Sequence, residues 1–270
     1  MPNVPTGPSG SEQQGDFQRE AVVGRVAVEA ALKGDRPLDC LMVDKSVHSG
    51  ALQALAARAR TMGLPIKTVS REKLDFLCPG VNHQGVAVLI AAHAYAEVED
   101  ILAAAARRGE PPLIVICELE DPHNLGAVIR TAEAVSAHGV IIPKRRSVSL
   151  TGAVAKAACG ALESLPVARV TNLTDTVRRL KEQGLWVYGA DARGTDWCAA
   201  DYAGGAVLVI GSEGEGISRL LRETCDLLVA LPMYGQVTSL NASVAAGVIL
   251  YEMARQRRGL KALAPQTSKQ

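Results

Sequence analysis

Aromatic side chains make up only 3% of the 270 residues, and the whole chain has two phenylalanines. Valine, leucine, isoleucine and alanine must therefore build the core, as in layered α/β proteins. A surplus of one charge is also missing: 29 Lys and Arg face 28 Asp and Glu, for a net charge of +1. Proteins that hold nucleic acid by bulk electrostatics are more basic than this. Positive charge used for binding would have to be local, which leaves recognition by shape and by unpaired nucleotides open. The six cysteines (40, 78, 117, 159, 198 and 225) form no C-x-x-C pair. With no secretory signal recognised, they read as reduced cytoplasmic thiols, mostly small core residues. The five histidines have no H-E-x-x-H or similar ligand spacing, so no metal is expected. No apolar run approaches the roughly 18–20 residues that cross a bilayer. A soluble, cytoplasmic protein without membrane contact is expected.

What is present is ordered alternation. Residues 1–19 are rich in Pro, Gly, Ser and Gln and read as a disordered tail. From 20 to 92 the pattern alternates helix and strand. Helices are expected at 24–33, 51–62 and 71–77, and strands at 38–43, 65–69 and 85–91, giving a small α/β domain. Residues 93–111 hold an acidic helix (97–108) and a Gly-Glu-Pro-Pro break, a linker or the first helix of the next domain. Between 112 and 258, apolar runs at 113–117, 139–142, 185–190, 206–210 and 227–231 alternate with helical stretches. Five buried strands with interleaved helices imply a Rossmann-like, mostly parallel sheet. Residues 259–270 read as a flexible tail.

Three blocks in the second domain carry chemistry. The first, Asp121 to Ala134, puts Asn124 and Arg130 six residues apart on a loop-to-helix junction after a buried strand. The second, Val207 to Ile217, runs from a strand into a turn that reads Gly211-x-x-Gly214-x-Gly216. That spacing is wrong for G-x-G-x-x-G, and the Gly-Lys-Ser/Thr of a phosphate loop is absent. Glu213 and Glu215 would repel a diphosphate. This argues against a nicotinamide dehydrogenase and for a cofactor without phosphates, although a plain strand–turn–helix with acidic residues at the helix start also fits the turn alone. The third block, Leu231 to Ala245, is a strand end, a loop with Ser239 and Asn241, and the start of a small-residue helix. Ser239 and Asn241 also suit an N-cap pair for that helix.

In this order the three blocks closely resemble the signature motifs of the SpoU (TrmH-like) family of RNA ribose 2′-O-methyltransferases. Gly24-Arg25 and His83-Gln84-Gly85 resemble the substrate-binding domain of its RlmB-like members, which methylate a guanosine of 23S ribosomal RNA. The resemblance implies a C-terminal trefoil knot, the SPOUT fold, an exception to the rule against threaded chains. It also implies S-adenosylmethionine bent into that knot, with contacts falling on Gly211, Leu231 and Leu240. Arg130 would activate the ribose hydroxyl. Asn124, Glu213, Ser239 and Asn241 would shape the pocket and hold Arg130 or the substrate. Arginine's pKa, above about 12, makes positioning and charge stabilisation its role rather than proton removal.

Lys144, Arg145 and Arg146 follow a predicted strand at the sheet edge where α/β proteins place ligands. With Arg25, they are candidates for RNA-phosphate contacts. The helix 242–255 is small and apolar on nearly every face, which asks for a partner surface. A homodimer is expected, as the resemblance also implies. The expected activity is 2′-O-methylation of 23S ribosomal RNA; tRNA methylation and a non-catalytic RNA-binding relative are the alternatives.

Overall fold

The computed structural model describes residues 21–47 and 49–260. The tail expected at 1–19, and all but the first two residues of the tail expected at 259–270, lie outside the described residues. The chain forms two units, one running to Ala94 and including 149–152, the other made of the remainder from Tyr95.

In the first unit the elements are β1 (Ala21–Val23), α1 (Arg25–Ala31), β2 (Leu38–Asp44), α2 (Gly50–Thr61), β3 (Ile66–Val69), α3 (Arg71–Leu77) and β4 (Val86–Ile90). The sheet order is β1-β4-β2-β3, with only β2 and β3 parallel. Strand alternation sends Leu41, Val86 and Val88 to one face, where Val28, Leu32, Leu52, Leu55 and Ala59 of the helical segments cover them. Cys40, Met42 and Ala87 point the other way, onto Leu74 and Leu77 of α3. Ser49 and Ser70 cap α2 and α3 by accepting from the amides of Leu52 and Lys73.

The second unit contains α4 (Val98–Arg108), β5 (Leu113–Cys117), α5 (Pro122–Ala134), β6 (Gly139–Pro143), α6 (Gly152–Ala158, all but its first residue), β7 (Val167–Val170), α7 (Leu173–Glu182), β8 (Trp186–Asp196), β9 (Ala206–Ile210), α8 (Arg219–Thr224), β10 (Leu227–Ala230) and α9 (Ala242–Arg257). Its sheet is six-stranded in the order β10-β8-β9-β5-β6-β7, and every pair is parallel. The count corrects the expected five. The missed strand, Val167–Val170, lies at the sheet edge, and Arg169 interrupts its apolar run. The central strands β5 and β9 are buried at every residue, so they read as unbroken apolar runs rather than alternations. Helix α4 has a capping box between Glu97 and Asp100, and its Val98 and Ile101 enter this unit's core.

Two further expectations need correction. Only Cys40, Cys78 and Cys117 are buried, while Cys159 and Cys198 are exposed and Cys225 is intermediate. Helix α9 packs on α5 through one face, burying Ala246, Ile249, Leu250 and Met253. Val244, Val248 and Tyr251 on its other face stay open. Among the described residues no helix is long and apolar enough to cross a membrane.

Candidate active site

The chain moves outward from β5 to β6 and β7, then crosses to β8 and returns with β9 beside β5. Parallel sheets open a crevice at the carboxyl ends of strands flanking such a reversal. The loops after β5, β9 and β10 all emerge there.

After β5, Asp121 caps α5 by accepting from the His123 amide at 2.8 Å, and Pro122 occupies the first helical position. His123 is exposed in the first turn, whereas Asn124 is buried. Gly126, one turn on, has no room for a side chain: a Cβ would lie 2.4 Å from the Ala157 Cβ. The glycine thus lets α5 and α6 touch.

Asn124 joins the three loops. Its Nδ2 donates to Glu213 Oε1 in the glycine turn, and its Oδ1 accepts from Asn241 Nδ2 at 3.0 Å. Asn241 in turn caps α9, its Oδ1 accepting from the Ser243 amide at 2.9 Å and the Val244 amide at 3.3 Å. Ser239 has no such role, so the expected N-cap pair reduces to Asn241 alone.

The turn after β9 closes on itself: Ser212 N donates to Gly216 O at 3.1 Å and Gly216 N to Ser212 O at 2.9 Å. A Cβ on Gly211 would lie 2.1 Å from the Gly216 carbonyl carbon and Ile217 nitrogen, so only glycine permits the approach. Ser218, just beyond, donates through both N and Oγ to Glu118 at 2.9 Å, which ties this turn to the end of β5.

A cavity of about 600 Å³ lies among these loops. Gly211, Glu213, Leu231, Ser239, Leu240 and Asn241 line it, placing the three expected cofactor contacts in one wall system. Sequence reasoning missed a further wall. Strand β8 pairs with β10 through Gly189, leaves the ladder, and rejoins it at Thr195. The displaced residues Ala190–Arg193 line the cavity. Asp191 accepts from Arg193 Nε at 2.9 Å, Nη2 at 2.7 Å and the backbone amide at 3.0 Å. The Arg193 guanidinium holds the Asp191 carboxyl at about 2. The polar run Asp-Ala-Arg-Gly after an apolar strand was the available signal.

Arg130 does not line the cavity. It is exposed on α5 and donates through Nη1 to Cys159 Sγ at 3.4 Å. Arg145 and Arg146 are exposed after β6, and Arg146 has φ 56°; Lys144 is half-buried, its amide bonded to Val170 O at 2.8 Å. Arg25 is in the first unit, where its amide and Nε donate to Gln84 Oε1 at 3.0 Å and Gln84 O at 3.4 Å. The two short motifs of that unit therefore meet. Among the described residues no cluster of His, Cys, Asp and Glu is arranged to hold a metal.

Comparison with known proteins gives two family matches: SpoU rRNA Methylase family over residues 111–251 and RNA 2′-O ribose methyltransferase substrate binding over 21–96. YacO of Bacillus subtilis, named as a TrmH family tRNA/rRNA methyltransferase, is 50% identical over 242 residues, covering 89% of this chain and 97% of its own. A similarly named protein of Staphylococcus haemolyticus is 44% identical over 240 residues, covering 87% and 95%. Among solved structures, the SpoU methyltransferase AviRb of Streptomyces viridochromogenes, in complex with the cofactor AdoMet, aligns with a TM-score of 0.57 at 26% identity. The alignment covers 93% of this chain and all of that one (100%).

Proposed function

The chain belongs to the SpoU rRNA methylase family, and from that premise we propose that it transfers a methyl group from S-adenosylmethionine to a ribose 2′-hydroxyl of RNA. A guanosine in 23S ribosomal RNA is the preferred target. The observation that carries this reading is the Asn124 amide, bonded at once to Glu213 and Asn241, two residues that line the cavity. The trefoil knot of the SPOUT fold, a cytoplasmic location and a homodimer complete the reading.

The residues fit the cofactor. The cavity wall has three carboxylates, Asp191, Glu213 and Glu215, against one guanidinium, Arg193. A net negative wall suits a ligand with a sulfonium, an ammonium and one carboxylate. Ile210, Leu231 and Leu240 offer apolar surface for an adenine, and the tight turn at Gly211 brings backbone groups close. When bound, the cofactor supplies an electrophilic methyl group on sulfur.

The chain's own work is to place an oxygen opposite that methyl. Arg130 anchors a neighbouring RNA phosphate and stabilises charge growing on the hydroxyl oxygen. It takes no proton, since a guanidinium stays charged below a pH of about 12. Asn124 fixes Glu213 on one side and Asn241 on the other, and Ser239 contributes a hydroxyl to the same wall. Lys144, Arg145 and Arg146 supply phosphate contacts, and Arg25 does so in the first unit. Support for the ribosomal target comes from the description of the matching family, which names rRNA, while the first unit's match to a substrate-binding family supports RNA as the substrate. A tRNA target is the second reading, because the similar curated proteins bear names that include both RNAs. The intact set of Asn124, Arg130, Glu213, Ser239 and Asn241 argues against a non-catalytic relative.

The homodimer is supported by α9. Val244, Val248 and Tyr251 form an open apolar stripe, and Val248 and Tyr251 line a groove of about 590 Å³ with Val135, Trp197 and Leu260.

Transfer of labelled methyl from S-adenosylmethionine to large-subunit ribosomal RNA, with bulk tRNA in parallel, tests the proposal. Label mapped to a ribose of ribosomal RNA is the expected result. Label on tRNA alone overturns the target and keeps the chemistry. Label on neither, with cofactor binding intact, overturns the activity on free RNA.

A further inference from the structure

Positive charge is local in this chain. Residues 21–94 contain nine Lys and Arg against six Asp and Glu, while residues 95–260 contain 17 against 19. The first unit is thus the basic part of a nearly neutral protein. It also holds Phe76, which sits on α3 with 53% of its surface exposed. The helix has buried Leu74 and Leu77 to pack inward, so the outward phenylalanine contributes little to the core. In a chain with so few aromatic rings this placement calls for a partner.

The surroundings of the ring indicate which partner. Lys73 Nζ lies 5.6 Å from the Phe76 centroid, so the ring is flanked by a cation. The residue before it, Asp75, fixes the helix to the loop that receives Arg25. His83 Nδ1 accepts from the Gly85 amide at 3.0 Å, which leaves Nε2 as the donor to Asp75 Oδ1 at 2.9 Å. Gln84, between these two residues, takes both bonds from Arg25. Val81, half exposed, and Asn82, with its side-chain amide, complete the loop's open face. The helix and the loop it is tied to thus carry between them a π face, cations for phosphates and amides for base edges. This is the combination that binds unpaired nucleotides, whose bases can stack on an aromatic ring. An interface for another protein would need no cation at the ring and no excess of positive charge.

We infer that Phe76, with Lys73 beside it, is a stacking platform for one unpaired base of the RNA substrate. The inference rests on the proposed RNA-binding role of the first unit and deepens it.

The test uses the full chain and fluorescence anisotropy with a fluorescein-labelled, unstructured RNA of about a dozen nucleotides, compared with the same RNA as a perfect duplex. Phe76→Leu keeps an apolar side chain and removes the π face. It is expected to weaken single-strand binding by roughly fivefold to a hundredfold, with duplex binding unchanged. Phe76→Trp should bind at least as tightly as the unsubstituted protein. Lys73→Gln should lower the slope of log affinity against log salt by about one contact's worth. Unchanged affinity in Phe76→Leu overturns the platform, as does failure of the unsubstituted protein to bind the single strand. Arg25→Ala separates the two levels of the argument. If it weakens binding while Phe76→Leu does not, the platform alone falls. If neither substitution matters, the RNA-binding role of the unit falls with it. The melting-temperature rise given by S-adenosylhomocysteine should be the same in all these variants, since none touches the cavity.

Discussion

Asn241 donates to Asn124, and Asn124 donates to Glu213, so the amide groups are oriented in one direction along the chain of bonds. Each amide uses its oxygen to receive and its nitrogen to give. A carboxylate in the middle position has no proton to offer Glu213.

Asn124→Asp should therefore be worse than Asn124→Ala at neutral pH. The alanine removes two hydrogen bonds, worth about 0.5–1.5 kcal/mol each, and water can replace them because Glu213 and Asn241 are exposed. The aspartate adds a repulsion between carboxylates, and that repulsion fades as either is protonated. Chemical denaturation at pH 7 and pH 5 measures this. An aspartate variant as stable as the alanine variant at both values would reject the assigned bond direction.

Arg130→Ala should reduce the methyl-transfer rate constant by roughly 10²–10³-fold, the usual loss for removing one donor to developing charge. Cofactor affinity should be unchanged, because Arg130 is not part of the cavity wall. Isothermal titration with S-adenosylhomocysteine beside single-turnover kinetics separates the two. Parallel loss of both would make the residue structural.

Gly211→Ala places a carbon where the Gly216 backbone already lies. Overpacking of this kind costs about 1–3 kcal/mol, here paid by displacing the turn. Cofactor affinity should drop by about tenfold or more, and the melting temperature of the cofactor-free protein should fall by about 2–4 °C for each kcal/mol lost. Unaltered affinity would show that the turn adapts.

Asp191 has its carboxyl held at about 2 by Arg193. The folded value lies below the unfolded value of about 3.9. The pair's stabilisation is therefore complete above pH 4 and is lost as pH falls toward 2. Asp191→Asn should lower stability at pH 7, and its deficit should shrink from pH 4 downward. A deficit independent of pH over that range would mean that the charge is irrelevant to holding Ala190–Arg193.

Val248→Asp should convert a dimer at micromolar concentration into a folded monomer, since a charge on the open stripe of α9 would have to be buried at the interface. Analytical ultracentrifugation reads this directly. A monomer before substitution removes the homodimer.

Sequence pattern gave much of this site because its parts are local. A buried strand followed by Asp121-Pro122 sets a cap and a helix start, and Gly211 to Gly216 can only be a turn. The strand Val167–Val170 was not legible because an edge position tolerates Arg169 and blurs the apolar run. Apolar length also marked β8 as ending near residue 190, whereas the strand leaves its ladder and resumes at Thr195. That excursion depends on β10, some 35 positions further along the chain. Arg130 and Asn124 share a motif, yet only Asn124 reaches the network, because side-chain direction on a helix separates residues that are close in sequence.

Glu213 and Asn241, two partners of Asn124, lie 89 and 117 residues further along the chain. While the protein is being synthesised, no cavity can exist until α9, which supplies part of its wall, has emerged and docked. Contacts of such long range form late and slowly in parallel-sheet proteins. Cofactor binding by a refolding chain is accordingly a clock for its final step. A chain stopped before Asn241 would contain all six strands of the second unit's sheet and still have no place for the methyl donor.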